Sequence, residues 1–172
     1  SLVTLMNYER FPKLLTLVVA GEPCSQSLAE QWCHKLRFIN AYGLTETTIC
    51  ASFHLYKSQK DPAGNIGFPI NNTQIYLLDN YLQPVSIGVE AEIFVAGYGL
   101  AKGYINQDDL TQNRFIQHTF KDGTQVRLYK TGDRGKYLKD GSIQYLGRID
   151  TQLKINGYRV ELNEVVTNLE SD

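Results

Sequence analysis

The sequence predicts an α/β unit followed by β structure: a parallel β-α-β piece, a small distorted β-barrel and a C-terminal β-hairpin. Three observations carry this. A continuous apolar run ending in glycine, LLTLVVAG (14–21), precedes a segment of helical apolar spacing and a second short strand, LRFIN. From residue 70 onward the apolar period changes to two. Three hairpin cues then follow, two turning on Asp-Gly and one on Asn-Gly.

The elements follow in order. Residues 14–21 read as a strand buried on both faces. Ser27, with Glu30 three residues later, forms a capping-box pattern, and Leu28, Trp32, Cys33 and Leu36 give one apolar helical face over 27–36. A strand, a helix and a strand with short links imply a parallel pair with a right-handed crossover. That geometry puts Ala20, Gly21 and Glu22 beside residues 40–43 at one sheet edge. Ligands of open parallel sheets bind at the carboxyl ends of the strands. SQKDPAGNIGFP (58–69) reads as a linker or subdomain boundary. TQIYLLD and EAEIFVAG read as strands with a loop between them, and 107–114 as a short helix capped by Asp108 or Asp109. The expected units are 1–60, 61–149 and 150–172.

Composition narrows the function. The 172 residues carry a formal net charge of -1, which offers no global field for nucleic acid or an anionic membrane. No apolar run reaches the roughly 20 residues of a membrane helix, and the N-terminus is not a signal peptide. Three cysteines without a CxxC pair (Cys24, Cys33, Cys50) and scattered histidines (His34, His54, His118) argue against a disulfide framework or a structural metal. The expected setting is cytoplasmic.

NAYGLTETT (40–48) places hydroxyls and one carboxylate directly after the second strand. Thr45 and Glu46 have two readings. In one, Thr45 caps a helix and Glu46 favours its first turn. In the other, the hydroxyl meets a phosphate and the carboxylate holds Mg²⁺, which takes oxygen ligands and phosphate partners. The strand-edge position tilts the balance toward the second. Asp133, in YKTGDRGKY (129–137), is either ordinary turn chemistry or a carboxylate placed to accept two ribose hydroxyls. AGYGLAKGY (96–104) lacks the phosphate-loop pattern; it reads as a bent strand edge without a catalytic role. In GRIDTQLKINGYRVE (147–161), Asp150 lies where a hinge can sit.

Taken in order, VVAGEPCSQSLAEQW, NAYGLTETTICA, IGFPINNTQIYLLD, AEIFVAGYGLAKGYIN with LTQNRFI, LYKTGDRGKYLKDGSIQYLGRID and TQLKINGYRVELNEV resemble the adenylation domains of nonribosomal peptide synthetases. These domains belong to the adenylate-forming superfamily, with acyl-CoA and aryl-CoA ligases and luciferases. The resemblance covers nearly all of the chain and about a third of a complete family domain. Leu44 stands where peptide synthetases usually carry proline, and YGLTE is more typical of the CoA-ligase and luciferase branch. Arg134, Asn156 and Asn163 are further departures.

The resemblance implies an AMP-forming ligase that activates an amino acid with ATP and Mg²⁺ and passes it to the phosphopantetheine thiol of a carrier protein. It implies that Asn40, Ala41 and Tyr42 border the adenine. Thr45 would touch the α-phosphate and Glu46 coordinate Mg²⁺. Asp133 would hold the ribose, Tyr145 and Arg148 support the nucleotide, and Asp150 serve as the hinge of a small C-terminal subdomain. Family pocket positions fall at Val18, Ala20, Ala41, Ile49 and Cys50, all apolar, which favours a large apolar or aromatic amino acid. The family's phosphate loop and adenylation lysine are not in this sequence. The expectation is therefore an incomplete, inactive piece that needs the remaining parts of the domain. The resemblance also allows a helper protein or a domain inserted after GYRVE as partners. The alternatives are the equivalent piece of an acyl- or aryl-CoA ligase, and a non-catalytic docking module.

Overall fold

A computed structural model describes the backbone of residues 2–149, 153–155 and 158–160. Asp150 and the tail beyond 160 lie outside the described residues.

Strand β1 (Thr16–Ala20) pairs in parallel with β2 (Arg37–Tyr42), and α1 (Gln26–Trp32) connects them. Ser25, not Ser27, caps α1: its Oγ accepts from the Leu28 amide at 3.2 Å. The helix ends at Trp32, short of the expected 36. Its inner face buries Leu28, Ala29 and Trp32 against Phe38 and Tyr56, which form one apolar core with Cys24.

Two further strands were not expected, one of them inside the stretch read as a linker. β3 (Ser52–Tyr56) returns antiparallel to β2, and β4 (Asn65–Pro69) pairs with β3 inside the Gly-Pro-rich stretch. Gly67 makes that second pairing feasible. Its φ is +71°, and a β-carbon there would lie 1.9 Å from the Phe53 carbonyl oxygen.

β5 (Thr73–Leu78), β6 (Ala91–Gly97), β7 (Phe115–Thr119), β8 (Gln125–Tyr137) and β9 (Ile143–Arg148) complete the sheet. The path runs β1-β2-β3-β4-β9-β8-β6-β5, with β7 against β8. The sheet is therefore continuous across residue 60. It is mixed and open. Among the described residues no pairing joins β5 to β4, so the barrel expected over 61–149 does not close. Register shifts at Asn65/Gly67, Glu92/Phe94 and Arg134/Gly135 supply the curl instead, since bulges bend a strand and increase its twist. The second core, around Ile75, Leu77, Ile93, Val95, Tyr129 and Ile143, fills the curl. Helix α2 (Asp108–Arg114) matches the expected span, but neither aspartate caps it; Gln107 holds the cap position without a side-chain bond. β10 (Leu153–Ile155) and β11 (Tyr158–Val160) pair antiparallel.

Gly43 is the tightest point of the opening strand edge. Residues 44–51 fold back over it, and the Ala51 amide donates to the Tyr42 carbonyl at 2.7 Å. A β-carbon on Gly43 would stand 2.3 Å from the Ile49 carbonyl oxygen and 2.7 Å from the Cys50 Cα. Gly43→Ala is expected to lower unfolding stability by about 1–3 kcal/mol, the usual cost of overpacking. Urea unfolding of the two proteins side by side checks this, and equal midpoints would contradict the close packing.

Candidate active site

A small cleft, with a cavity volume of about 30 Å³, opens at the carboxyl end of β1 and β2. Residues 21–24 form one wall, 40–43 the floor, and Gly64, Ile66 and Tyr145 the opposite side. Asn40, Ala41, Tyr42 and Tyr145 therefore share one cavity, as a nucleotide-base site requires. Asn40 also has a structural duty: its Nδ2 donates to the Asn65 carbonyl at 2.8 Å, tying β2 to β4.

Asp133 sits under this cleft on β8 and is 2% exposed. Tyr42 Oη donates to its Oδ2 at 2.6 Å, and Arg148 Nη1 donates to its Oδ1 at 3.0 Å. Its own amide donates to Thr131 Oγ1. Burial first, then the charge of Asp133, pushes the Tyr42 phenol well above its ordinary range, so Tyr42 remains a donor. The carboxylate is thus fixed in orientation by two side chains from different elements. An ionised carboxylate is an acceptor that can hold several donors at once. This arrangement suits a vicinal diol.

The turn after β2 shows that Thr45 is not the cap. Thr45–Thr47 form a single 3-10 turn. Thr47 does the capping: its Oγ1 accepts from the Leu44 amide and donates to the Leu44 carbonyl, both at 3.0 Å. Thr45 itself is exposed. Thr48 and Ile49 then take left-handed φ values of 56° and 69°. That conformation costs about 1–3 kcal/mol per residue for side chains of this type and collects at functional sites.

Glu46 points inward and is 6% exposed. Tyr104 Oη donates to its Oε1 at 2.7 Å. Burial, then the bonds to Tyr129 and to Glu46, holds the Tyr104 phenol far above its ordinary range. Among the described residues no group of three or more His, Cys, Asp or Glu is placed to share a cation. One buried carboxylate beside an exposed threonine fits Mg²⁺ of the kind held by one carboxylate, substrate phosphates and water. It does not fit a metal caged by protein.

The pocket positions divide. Ala20 and Ala41 are register partners, and Val18 lies on the same face of β1. Val18 is 55% exposed. Ala41 in turn pairs with Phe53, and Phe53 with Phe68, giving an apolar row across four strands. Ile49 and Cys50 stand in the returning loop, and Ile49 is 81% exposed. Phe53 was missed because β3 carried no strand signal of its own.

Sequence reasoning also missed Tyr104. It lies in AGYGLAKGY, which by sequence reads as a bent strand edge without a catalytic role. The stretch does leave the sheet after Gly97, and it then lies against the 45–48 turn. The Ala101 amide donates to the Glu46 carbonyl at 2.8 Å, and Thr48 Oγ1 donates to the Gly99 carbonyl at 2.7 Å. No local pattern signals a contact between residues so far apart in the chain.

Comparison with known proteins identifies the family. The family model "AMP-binding enzyme" matches residues 2–105. Gramicidin S synthase 1 of Brevibacillus brevis is 47% identical over 163 residues, which is 93% of this chain and 14% of that protein. Bacitracin synthase 3 of Bacillus licheniformis is 45% identical over 169 residues, 98% of this chain and 3% of that protein. Among solved structures, PA1221, a nonribosomal peptide synthetase protein containing adenylation and carrier (PCP) domains, superposes with a TM-score of 0.90 at 30% identity, over 98% of this chain and 35% of its own. The Vibrio cholerae adenylation domain AlmE, solved with glycyl-adenosine-5'-phosphate, gives a TM-score of 0.84 at 30% identity, over 98% of this chain and 32% of its own. The chain thus spans about a third of these solved proteins and a small part of the two synthases. It belongs to the family of AMP-binding enzymes, and it is similar in sequence and fold to adenylation domains of nonribosomal peptide synthetases.

Proposed function

We propose that this chain is the nucleotide-binding part of an adenylation domain that activates an amino acid as its aminoacyl-AMP and loads it onto a carrier protein. The observation that carries the reading is the convergence of Tyr42 and Arg148 on the buried Asp133 carboxylate beneath the cleft. In this reading the adenine lies along residues 40–42, with Tyr145 opposite. Asp133, held in orientation by Tyr42 and Arg148, accepts the two ribose hydroxyls. Arg148 fixes Asp133 and adds positive charge beside the nucleotide. The hydroxyl of the exposed Thr45 donates to the α-phosphate.

In the first half-reaction the amino-acid carboxylate attacks the α-phosphorus of ATP. A mixed anhydride forms and pyrophosphate leaves. In the second, the carrier thiol attacks the carbonyl carbon and AMP leaves. Bound through Glu46, Mg²⁺ would supply charge neutralisation on the phosphates. The protein's own part is positioning and oriented donors, which supply most of the rate in such transfers. Residues 1–60, 61–149 and 150–172 are proposed as the successive parts of the domain, with Asp150 as the hinge to the last. The three free thiols accord with a cytoplasmic setting.

Val18, Ala20, Ala41, Ile49 and Cys50 would line an uncharged, roomy side-chain pocket, suited to a large apolar or aromatic amino acid. ATP–pyrophosphate exchange by the full-length protein across the amino acids tests this. Fastest exchange with an apolar or aromatic substrate is expected, and a preference for aspartate or lysine would sink the pocket assignment.

A further inference from the structure

We propose that Tyr104 is the positioning residue of Glu46, carried on a strap, residues 98–104, that fixes the metal-side carboxylate of the site. This rests on the reading of Glu46 as the Mg²⁺ ligand.

The strap meets the 45–48 turn at three points. Thr48 Oγ1 donates to the Gly99 carbonyl at 2.7 Å. The Ala101 amide donates to the Glu46 carbonyl at 2.8 Å. Tyr104 Oη donates to Glu46 Oε1 at 2.7 Å. The first two hold the backbone of the turn; the third orients the carboxylate itself.

Tyr104 is in turn held from three directions. Its amide donates to Thr111 Oγ1 at 2.8 Å. Gly103, at φ +157°, lets the chain pass so close to Thr111 that a β-carbon would stand 2.5 Å from its methyl group. The Tyr104 ring packs at 5.8 Å on Phe115, which packs at 4.9 Å on Tyr129. Arg127 closes the arrangement. Its two guanidinium nitrogens donate to the carbonyls of Ala101 and Lys102, each at 2.7 Å, while its plane lies 4.5 Å over Phe115. A forked, stacked guanidinium is a rigid anchor that lysine cannot reproduce.

The chemistry follows from the donor. A phenol bonded to one carboxylate oxygen fixes the carboxylate plane. Partners of this kind, one bond removed from the metal, are worth roughly 10- to 100-fold in metal affinity. A tyrosine that merely filled the core would act through its ring, and losing only its hydroxyl would leave metal affinity unchanged.

The test uses Mn²⁺ as the probe, titrated by electron paramagnetic resonance into the full-length protein with ATP present. Y104F, E46Q, the double variant and Y137F are compared with the parent protein. Tyr137 Oη donates to the Ile75 carbonyl away from the site, so Y137F removes a core hydroxyl without touching the strap. Y104F is expected to weaken Mn²⁺ binding about 10-fold. The double variant should be no weaker than E46Q alone, because the phenol acts only through the carboxylate. Y137F should match the parent.

If E46Q weakens binding and Y104F does not, the Tyr104 inference is overturned and the Glu46 reading stands. If neither weakens it, the Glu46 reading fails and takes the inference with it. If Y137F weakens it as much as Y104F, the effect is general loss of stability and the inference is overturned. Should Y104F fail to fold, R127K carries the same test: it is expected to weaken Mn²⁺ binding in the same direction, and parent-like binding would overturn the strap.

Discussion

Asp133→Ala is expected to lose nucleotide binding and much of the local fold together. Two charge-assisted hydrogen bonds to the ribose, at about 1.5–3 kcal/mol each, correspond to a loss of at least roughly 100-fold in AMP affinity. The same change removes the carboxylate that pairs with the buried Arg148, whose side chain is 8% exposed. Breaking a buried ion pair from one side costs about 3–5 kcal/mol. Asp133→Asn separates the two effects. It keeps the shape and an acceptor oxygen for one of the two partners, so it should recover part of the stability while AMP binding stays weak. Calorimetric titration of AMP and urea unfolding read the two quantities separately. AMP affinity within twofold of the parent in both variants would remove Asp133 from the site.

Glu46→Gln is expected to slow amino-acid-dependent pyrophosphate exchange by about 100- to 1,000-fold, the size of one preorganised electrostatic contact in a transition state. The amide oxygen can still accept from Tyr104, so the turn should keep its shape and the thermal midpoint should move little. The loss should appear in kcat, with the KM for the amino acid nearly unchanged, because Glu46 lies with the phosphates rather than with the side-chain pocket. A rise in KM at constant kcat would instead place Glu46 against the amino acid.

These two residues also mark what the sequence alone could resolve. The parallel β1-α1-β2 unit was legible because a continuous apolar run ending in glycine precedes helical spacing and a second strand. The expected burial on both faces is not observed, since β1 is an edge strand with Thr16, Val18 and Ala20 exposed. The unit's carboxyl edge then pointed to the candidate cleft without any motif. The choice of cap was not legible. Ser25 and Ser27 are equally good cap residues, and only the backbone decides that Ser25 Oγ reaches the Leu28 amide while Ser27 merely meets the Ser25 hydroxyl. The same holds for Thr45 and Thr47: three threonines flank Glu46, and folding assigns the cap to the one that reaches Leu44.

β3 and β4 escaped notice for a different reason. SFHLY mixes polar and apolar residues on a partly buried strand, and NIGFP carries a glycine and a proline that normally break a sheet. They form strands because β2 supplies a template and Gly67 accepts the close approach of Phe53. The barrel expectation failed at a still longer range. Alternation and Asp-Gly turns report that strands exist, but whether their sheet closes depends on bulges and registers summed over several strands. Tyr104 belongs to this class too. Its bond to Glu46 joins residues 58 apart in the chain, and the glycine-rich stretch around it reads locally as nothing more than a bent edge.

The central claim is chemical: attack occurs at the α-phosphorus of ATP and is driven by an amino-acid carboxylate. Product analysis of the full-length protein with ATP, Mg²⁺ and an apolar amino acid, trapped with hydroxylamine, tests it directly. The account predicts aminoacyl hydroxamate, AMP and pyrophosphate in equal amounts, and none of them when the amino acid is left out. Release of ADP and phosphate, or AMP formation that ignores the amino acid, would contradict it.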